Sequence, residues 1–417
     1  MNRIAAFLLL LLGALAVPTN VRAEPPGTVA YVNGRWWDGH SFVRGNRYVR
    51  GGVFVPRPDG RPVKSYDLNG GFVVPPYADA HNHMPGPAAD VSKRAISAGV
   101  FYLMNPTILA SSAPAVRAAL KGPYSIDVVL SMGAITAPGG HPERIYQDVI
   151  GPRVYPKIKP ADFLGDAYHY VMKEEDIAPV LDRLQAQGAE FVKIMVLYSE
   201  EFEKRRDDPA YRGYKGLDPT LVPLVVREAH RRGLRVAAHI ETAHDFKVIT
   251  LAGVDESAHM PGYAADAPGA FKDLRSYMIT DADARAAARG RMVMTPTASL
   301  AGYNENREQL AAIQRMQKAT LSKLKRAGVR LLIGTDQQPD AAPNEAAYLV
   351  KLGIFTPAEA LDSLTRATPE WIFPGRRIGR LAIGYEASFL ALGGNPLTDF
   401  KEITDIRRRF KQGIELK

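Results

Sequence analysis

Apolar positions along this chain follow two different patterns, and the change between them divides the sequence. Residues 27 to about 75 read as short half-buried strands with turn punctuation. Val29–Val32 is followed by Asn33-Gly34, a hairpin turn signal, and Gly51-Gly52 and Gly70-Gly71 mark further turns. The stretch Arg380–Leu392 has the same β character. The N-terminal unit is too short to close a core alone, so it reads as part of one small β-sandwich built from both chain ends.

Between these ends, short apolar runs alternate with helical stretches, as in parallel βαβ units. Eight runs are present: Phe72–Asp79, Gly99–Met104, Ile126–Met132, Glu190–Leu197, Leu234–His239, Val254–His259, Arg291–Pro296 and Val329–Thr335. Helical connectors are clearest at Glu174–Gln187, Pro219–Arg232, Asp281–Arg289 and Glu308–Arg326. This predicts an α/β fold, a (β/α)8 TIM-type barrel whose active site lies at the C-terminal strand ends. A doubly wound open sheet would carry a Gly-rich phosphate loop after its first strand, and none is present. The expected organisation is a leader at 1–23, sandwich at 24–75, barrel at 76–375, and sandwich with tail at 376–417. Gly139–Asp176 reads as an insertion in one βα loop, where lids and specificity elements sit.

Ile4–Val17 is an apolar run of 14 residues behind Arg3, and Val21-Arg22-Ala23 is a small-x-small cleavage site. This reads as a secretory signal peptide cut after Ala23, too short to span a bilayer. An uncleaved anchor is the alternative. A secreted or periplasmic protein is expected, with no stable membrane anchor after cleavage. Removing that segment takes two arginines and no acid, so the net charge falls from +9 to +7. Arg407-Arg408-Arg409 supplies part of it, read as a solvated helix face or tail, and no motif points to nucleic acid. With 46% apolar and 23% charged residues, disorder is excluded. The absence of cysteine removes thiolate metal sites and cysteine nucleophiles.

Candidate chemistry collects at the expected strand ends. The first run ends in Asp79-Ala-His81-Asn-His83, and alternate residues on a strand share a face, so both imidazoles can reach one ion. The fifth and sixth runs end in His239 and His259, so four of the nine histidines sit at strand ends. Each taken singly reads as an ordinary core histidine. Lys193 interrupts the apolar fourth run, where a charge is costly unless paired or modified. As a neutral amine it can accept carbon dioxide and bridge two metals as a carbamate, and burial favours that form. Asp336 closes the eighth run, where a carboxylate can bind a metal and accept a proton. Four imidazoles, a lysine and a carboxylate suit zinc or a similar divalent ion.

The order His81-x-His83, Lys193, His239, His259, Asp336 resembles the metal-dependent amidohydrolase superfamily, and more closely its imidazolonepropionase-like and Xaa-Pro dipeptidase-like branch. Val73-Val74-Pro75, Ala80–His83, Ser257–His259, Gly334-Thr335-Asp336 and Gly393–Leu397 match in sequence and order. Ile135–His141 resembles the Gly-Gly-His loop after the third strand, and Thr356–Leu361 and Arg366–Glu370 the helices after the eighth. Pro75–Asp79 and Ala387-Ser388-Phe389 depart from the family pattern without touching an expected ligand.

The resemblance implies two zinc ions per chain, one on His81, His83 and Asp336 and one on His239 and His259, bridged by carboxylated Lys193. It implies hydrolysis of amide or peptide C–N bonds, in small dipeptides or N-acyl amino acids, by a metal-bound hydroxide. Asp336 would act as general base and then acid. His141 would polarise the carbonyl or bind a substrate carboxylate, and Tyr198 would donate to the oxyanion. Their plainer readings are a loop histidine and a barrel-packing tyrosine. Arg144 is a candidate carboxylate clamp, with surface solvation as the simpler reading. Two alternatives remain: a mononuclear cyclic amidohydrolase or deaminase, with His259 catalytic and Lys193 unmodified, and an exported binding protein on a degenerate barrel.

Overall fold

The computed structural model describes residues 27–263, 273–304 and 306–416, so the expected leader at 1–23 lies outside the described residues. Both ends of the chain build one eight-stranded sheet. Val29–Trp37, Phe42–Arg50, Val53–Val55, Lys64–Asp67 and Phe72–Val74 join Phe389–Leu392, Ile406–Lys411 and Ile414–Leu416. Asn33-Gly34 is a bulge inside its strand and not a hairpin turn. Asn33 takes φ 58°, and the register slips between Tyr31 and Gly34. The slip lets one half of the strand pair Lys64–Asp67 and the other half pair Phe72–Val74. The chain turns instead at Asp38, whose carboxylate accepts the His40 and Ser41 amides. Gly51-Gly52 does form a tight turn, with Arg50 opposite Val53.

This sheet curls until Val53 bridges Glu386 and Phe54 exchanges backbone hydrogen bonds with Gly384 and Tyr385. Hydrogen bonding therefore gives one curled sheet where two stacked sheets were expected. Aromatic rings fill the curl. Phe389 lies 4.6 Å from Phe410, 4.9 Å from Tyr31 and 5.4 Å from Trp36, all of them buried. Arg407–Arg409 run within the strand Ile406–Lys411 and not on a helix or tail. Arg408 pairs with Glu415 across the ladder, and Arg409 Nε donates to the Ile96 carbonyl of a barrel helix.

Pro75-Pro76 split the first apolar run. Phe72–Val74 stays with the curled sheet, while Tyr77–Asp79 opens a parallel set, because proline cannot donate to a ladder. Tyr77–Asp79, Val100–Asn105 and Asp127–Leu130 form a three-stranded parallel sheet. A six-stranded sheet runs in the order Tyr168–Tyr170, Ala134–Thr136, Val192–Val196, Val236–Ile240, Glu256–Ser257, Val293–Met294, again parallel throughout. The third run breaks at Met132 and Gly133, both left-handed, at φ 62° and 102°. Contrary to expectation, the eighth run makes only a bridge, Leu331 to Met294. Farther along, the Thr335 and Asp336 amides turn to the His81 carbonyl instead of extending that ladder.

The architecture is a TIM-barrel-like domain with a second domain, and its ladder does not close among the described residues. The helices Ile177–Gln187, Val222–Arg231, Asp281–Arg289 and Arg307–Ala327 fall where the apolar period placed them. Gly139–Asp176 is more than a loop, since it supplies the strand Tyr168–Tyr170. No helix among the described residues is long and apolar enough to cross a membrane. Truncating Phe389 to alanine empties the centre of the curl and is expected to cost about 3–5 kcal/mol, read from urea denaturation.

Candidate metal centre

The site is assembled where the last residues of several parallel strands meet. Asp79 ends the first strand fully buried, and it ties two strand ends together. Its carboxylate accepts the His81 amide, the Thr335 amide, the Thr335 hydroxyl at 2.7 Å and the Asn82 side chain. Burial raises its pKa to about 6 against those donors. The Asp336 amide donates to the His81 carbonyl at 2.7 Å, so these two residues are held side by side. Gly334 permits this approach. A Cβ there would lie 2.2 Å from Thr295 Cγ2 and 2.9 Å from the His81 nitrogen.

His81 Nε2 lies 3.8 Å and His83 Nε2 3.3 Å from Asp336 Oδ1. The ligand atoms of these three residues all fall within 4.8 Å of one another. His83 is the outermost, its side chain 41% exposed, and its Nδ1 meets the Thr107 hydroxyl at 2.9 Å. The second pair faces this trio. The His259 ring lies 4.5 Å from that of His81 and 4.7 Å from that of His239. Burial holds His81, His239 and His259 well below the usual histidine range, so all three are neutral, the form that ligates.

Lys193 lies among them with 1% exposure, and its Nζ has no hydrogen-bond partner. Burial pushes its pKa down to about 7 against the pull of Glu256 and Asp336. Glu256 shares its layer: Lys193 is in register with Ala237, and Ala237 with Glu256. The Glu256 carboxylate is fixed by the Thr295 hydroxyl and the Trp371 indole. An orphaned buried amine beside nitrogen and oxygen donors, with no thiolate, fits a divalent-cation site.

His141 stacks on His239, ring centroids 4.6 Å apart and planes 18° apart. Burial lowers its pKa to about 4, partly offset by Asp336, so it is neutral at pH 7. Its loop folds tightly because Gly140 has no Cβ; one there would lie 2.3 Å from Thr136 Oγ1. Glu143 anchors the same loop, accepting from the Gly139 amide, the Tyr170 hydroxyl and Arg212. Tyr198 is buried, takes φ 50°, and lies 3.8 Å beneath the Arg205 guanidinium. Burial and then the Glu241 carboxylate keep its phenol protonated. The structure brings His81, His83, His141, His239, His259 and Asp336 together around Lys193; Tyr198 enters through Glu241. Arg144 donates to the Tyr214 hydroxyl.

Several partners escaped the sequence reading. Glu241 Oε1 lies 3.3 Å from His239 Nε2, Tyr263 stacks on His259, and Thr297 meets His259 Nδ1 at 2.8 Å. The only available signal was proximity in sequence: Glu241 is two residues past His239 and Tyr263 four past His259. Asp336, Tyr198, Thr297, Met84 and Met132 all hold left-handed backbone at or just beyond strand ends. Such strain gathers where surrounding structure over-determines it, as at functional sites. A second acidic group, Glu200, His244 and Asp245, is a helix start, its Asp245 carboxylate already taken by backbone amides.

These contacts separate two glycine substitutions. Gly334→Ala drives backbone against His81 and is expected to lower metal retention measured by plasma mass spectrometry. Gly140→Ala displaces only the His141 loop; metal content is expected to hold while kcat/KM falls about 100-fold.

Residues 210–414 match the family model described as the amidohydrolase family. An ochratoxinase of Aspergillus niger is 27% identical over 225 residues, 52% of this chain and 44% of that protein, so this chain spans less than half its length. An imidazolonepropionase of Chromobacterium violaceum is 24% identical over 363 residues, 78% of each chain. Among solved structures, a Xaa-Pro dipeptidase with bound methionine superposes with TM-score 0.69 at 17% identity, covering 94% of this chain and all of the other. Residues 210–414 therefore carry an amidohydrolase-family domain, and the relatives and structural neighbours support the amidohydrolase superfamily.

Proposed function

We propose that this protein hydrolyses amide or peptide C–N bonds in small dipeptides or N-acyl amino acids, with two divalent ions, zinc by preference. The observation that carries this reading is Lys193, whose buried Nζ has no partner and stands among imidazoles from both parallel sheets. His81, His83 and Asp336 would hold one ion and His239 and His259 the other, with Lys193 between them. The dipeptidase among its structural neighbours supports the substrate class. The two parallel sheets are taken as parts of one (β/α)8 barrel, with domain bounds as read from the sequence. The leader at 1–23 supports export to the periplasm or medium.

Above its depressed pKa, the Lys193 amine is neutral. Carbon dioxide then forms an N–C bond to Nζ, and the displaced proton leaves to water. When bound, the ions supply Lewis-acid polarisation of the carbonyl and lower the pKa of a water. Asp336, with its side chain 22% exposed, takes the proton from the attacking water and returns it to the leaving nitrogen. Neutral His141 donates a hydrogen bond to the substrate carbonyl or carboxylate, and the protonated Tyr198 phenol donates to the oxyanion.

A mononuclear cyclic amidohydrolase or deaminase is the second reading, favoured by the longer match to an imidazolonepropionase. A substrate panel separates the two. Free amino acids released from dipeptides or N-acyl amino acids support the first, with kcat falling about 100- to 10,000-fold in Asp336→Asn. Ammonia or ring-opened product alone, unaffected by Lys193→Ala, would replace it with the second. The amine also sets a pH dependence. At fixed carbon dioxide pressure, the carbamate carbon signal in 13C NMR is expected at neutral pH and to be lost as pH falls well below 7, where the amine is protonated. A lysine of ordinary pKa would need alkaline pH to give a comparable signal.

A further inference from the structure

His259 is held from two directions by residues that the proposed reaction does not use. Thr297 sits just beyond the strand Val293–Met294 with φ 49°, a left-handed conformation that β-branched residues rarely adopt. That backbone brings its hydroxyl 2.8 Å from His259 Nδ1 and 2.8 Å from the Pro296 carbonyl. The Pro296 carbonyl accepts the Met260 amide at 3.2 Å and also the Thr297 hydroxyl, which places the single hydroxyl proton on that contact. The hydroxyl oxygen then faces Nδ1 with a lone pair, and Nδ1 must carry the proton. Nε2 is left with its lone pair.

The second contact fixes the ring plane. Tyr263 stacks on His259 with centroids 3.8 Å apart and planes 12° apart, and its ring stands edge-on to His239 at 5.8 Å. It is buried, and the turn before it is pinned: Gly262, at φ 68°, donates its amide to the Glu241 carbonyl at 3.0 Å. A Cβ on Gly262 would lie 2.9 Å from both the Tyr277 ring and the Met316 methyl. The ring of Tyr263 therefore stays against the imidazole.

We infer that Thr297 and Tyr263 are positioning residues that preset His259, before any ion arrives, with Nε2 as its donor atom. Thr297 selects the tautomer and Tyr263 selects the plane. The use of that atom as a ligand rests on the two-ion reading above; the preset itself does not. An outer partner that orders a ligating histidine commonly changes metal affinity 10- to 100-fold.

The test reads the metal-free protein first. Long-range 1H–15N correlations of the His259 imidazole are expected to show Nδ1–H in the wild type and in Thr297→Ser, and a changed tautomer mixture in Thr297→Ala. Zinc titration by calorimetry is then expected to show one site weakened about 10- to 100-fold in Thr297→Ala and Tyr263→Leu. Thr297→Ser and Tyr263→Phe should bind as the wild type does. A wild-type Nε2–H tautomer would overturn the inference, as would Tyr263→Phe losing as much affinity as Tyr263→Leu. If the wild type shows Nδ1–H yet binds a single zinc ion, the two-ion reading fails and the preset stands.

Discussion

The structure turns on one desolvated amine. Lys193 sits in the middle of an apolar parallel strand, and its Nζ is sealed from water without an acceptor. Burial disfavours an ammonium in that position, so the neutral amine becomes accessible near neutral pH, open to ligation or modification. Four of the five imidazoles facing the same space, His81, His141, His239 and His259, respond to the same loss of water. They too are held neutral by burial, with no need of a carboxylate partner for each. A cluster of neutral nitrogen bases is electrostatically tolerable when dry, and it is also what a divalent cation seeks.

Keeping that cluster in place is the work of strand ends that do not share a ladder. Asp79 and the His81 carbonyl capture the Thr335 and Asp336 amides, joining the first run to the eighth where strand pairing stops. Opposite them, Glu143 draws together its own loop, the strand Tyr168–Tyr170 and Arg212, and so carries His141 over His239. Among the described residues the curled sheet contributes nothing to this cluster. Its share is mechanical, for Arg409 and Tyr77 bind the barrel's first helix and first strand to the C-terminal segment.

Much of this was legible in the sequence because the residues of the cluster announce themselves by type. A lysine in an apolar strand and histidines at run ends are costly there, and that cost is visible without coordinates. The positions that were misread are those where one residue pattern serves two geometries. Asn33-Gly34 supplies a left-handed residue equally to a hairpin turn and to a bulge, and only the register separates them. The eighth run has strand composition, yet its terminal amides find better acceptors in Asp79 and His81 than in the neighbouring strand. Thr297, Tyr263 and Glu241 lie beyond strand ends in loops, where contact depends on how the chain folds back and not on any period.

The central claim is that Lys193 and its surrounding imidazoles form a two-ion centre. Metal per chain, measured by plasma mass spectrometry after reconstitution with zinc and bicarbonate, tests it most directly. The account predicts close to two equivalents in the wild type, falling toward one in Lys193→Ala. One equivalent in both proteins, or none in either, would contradict it.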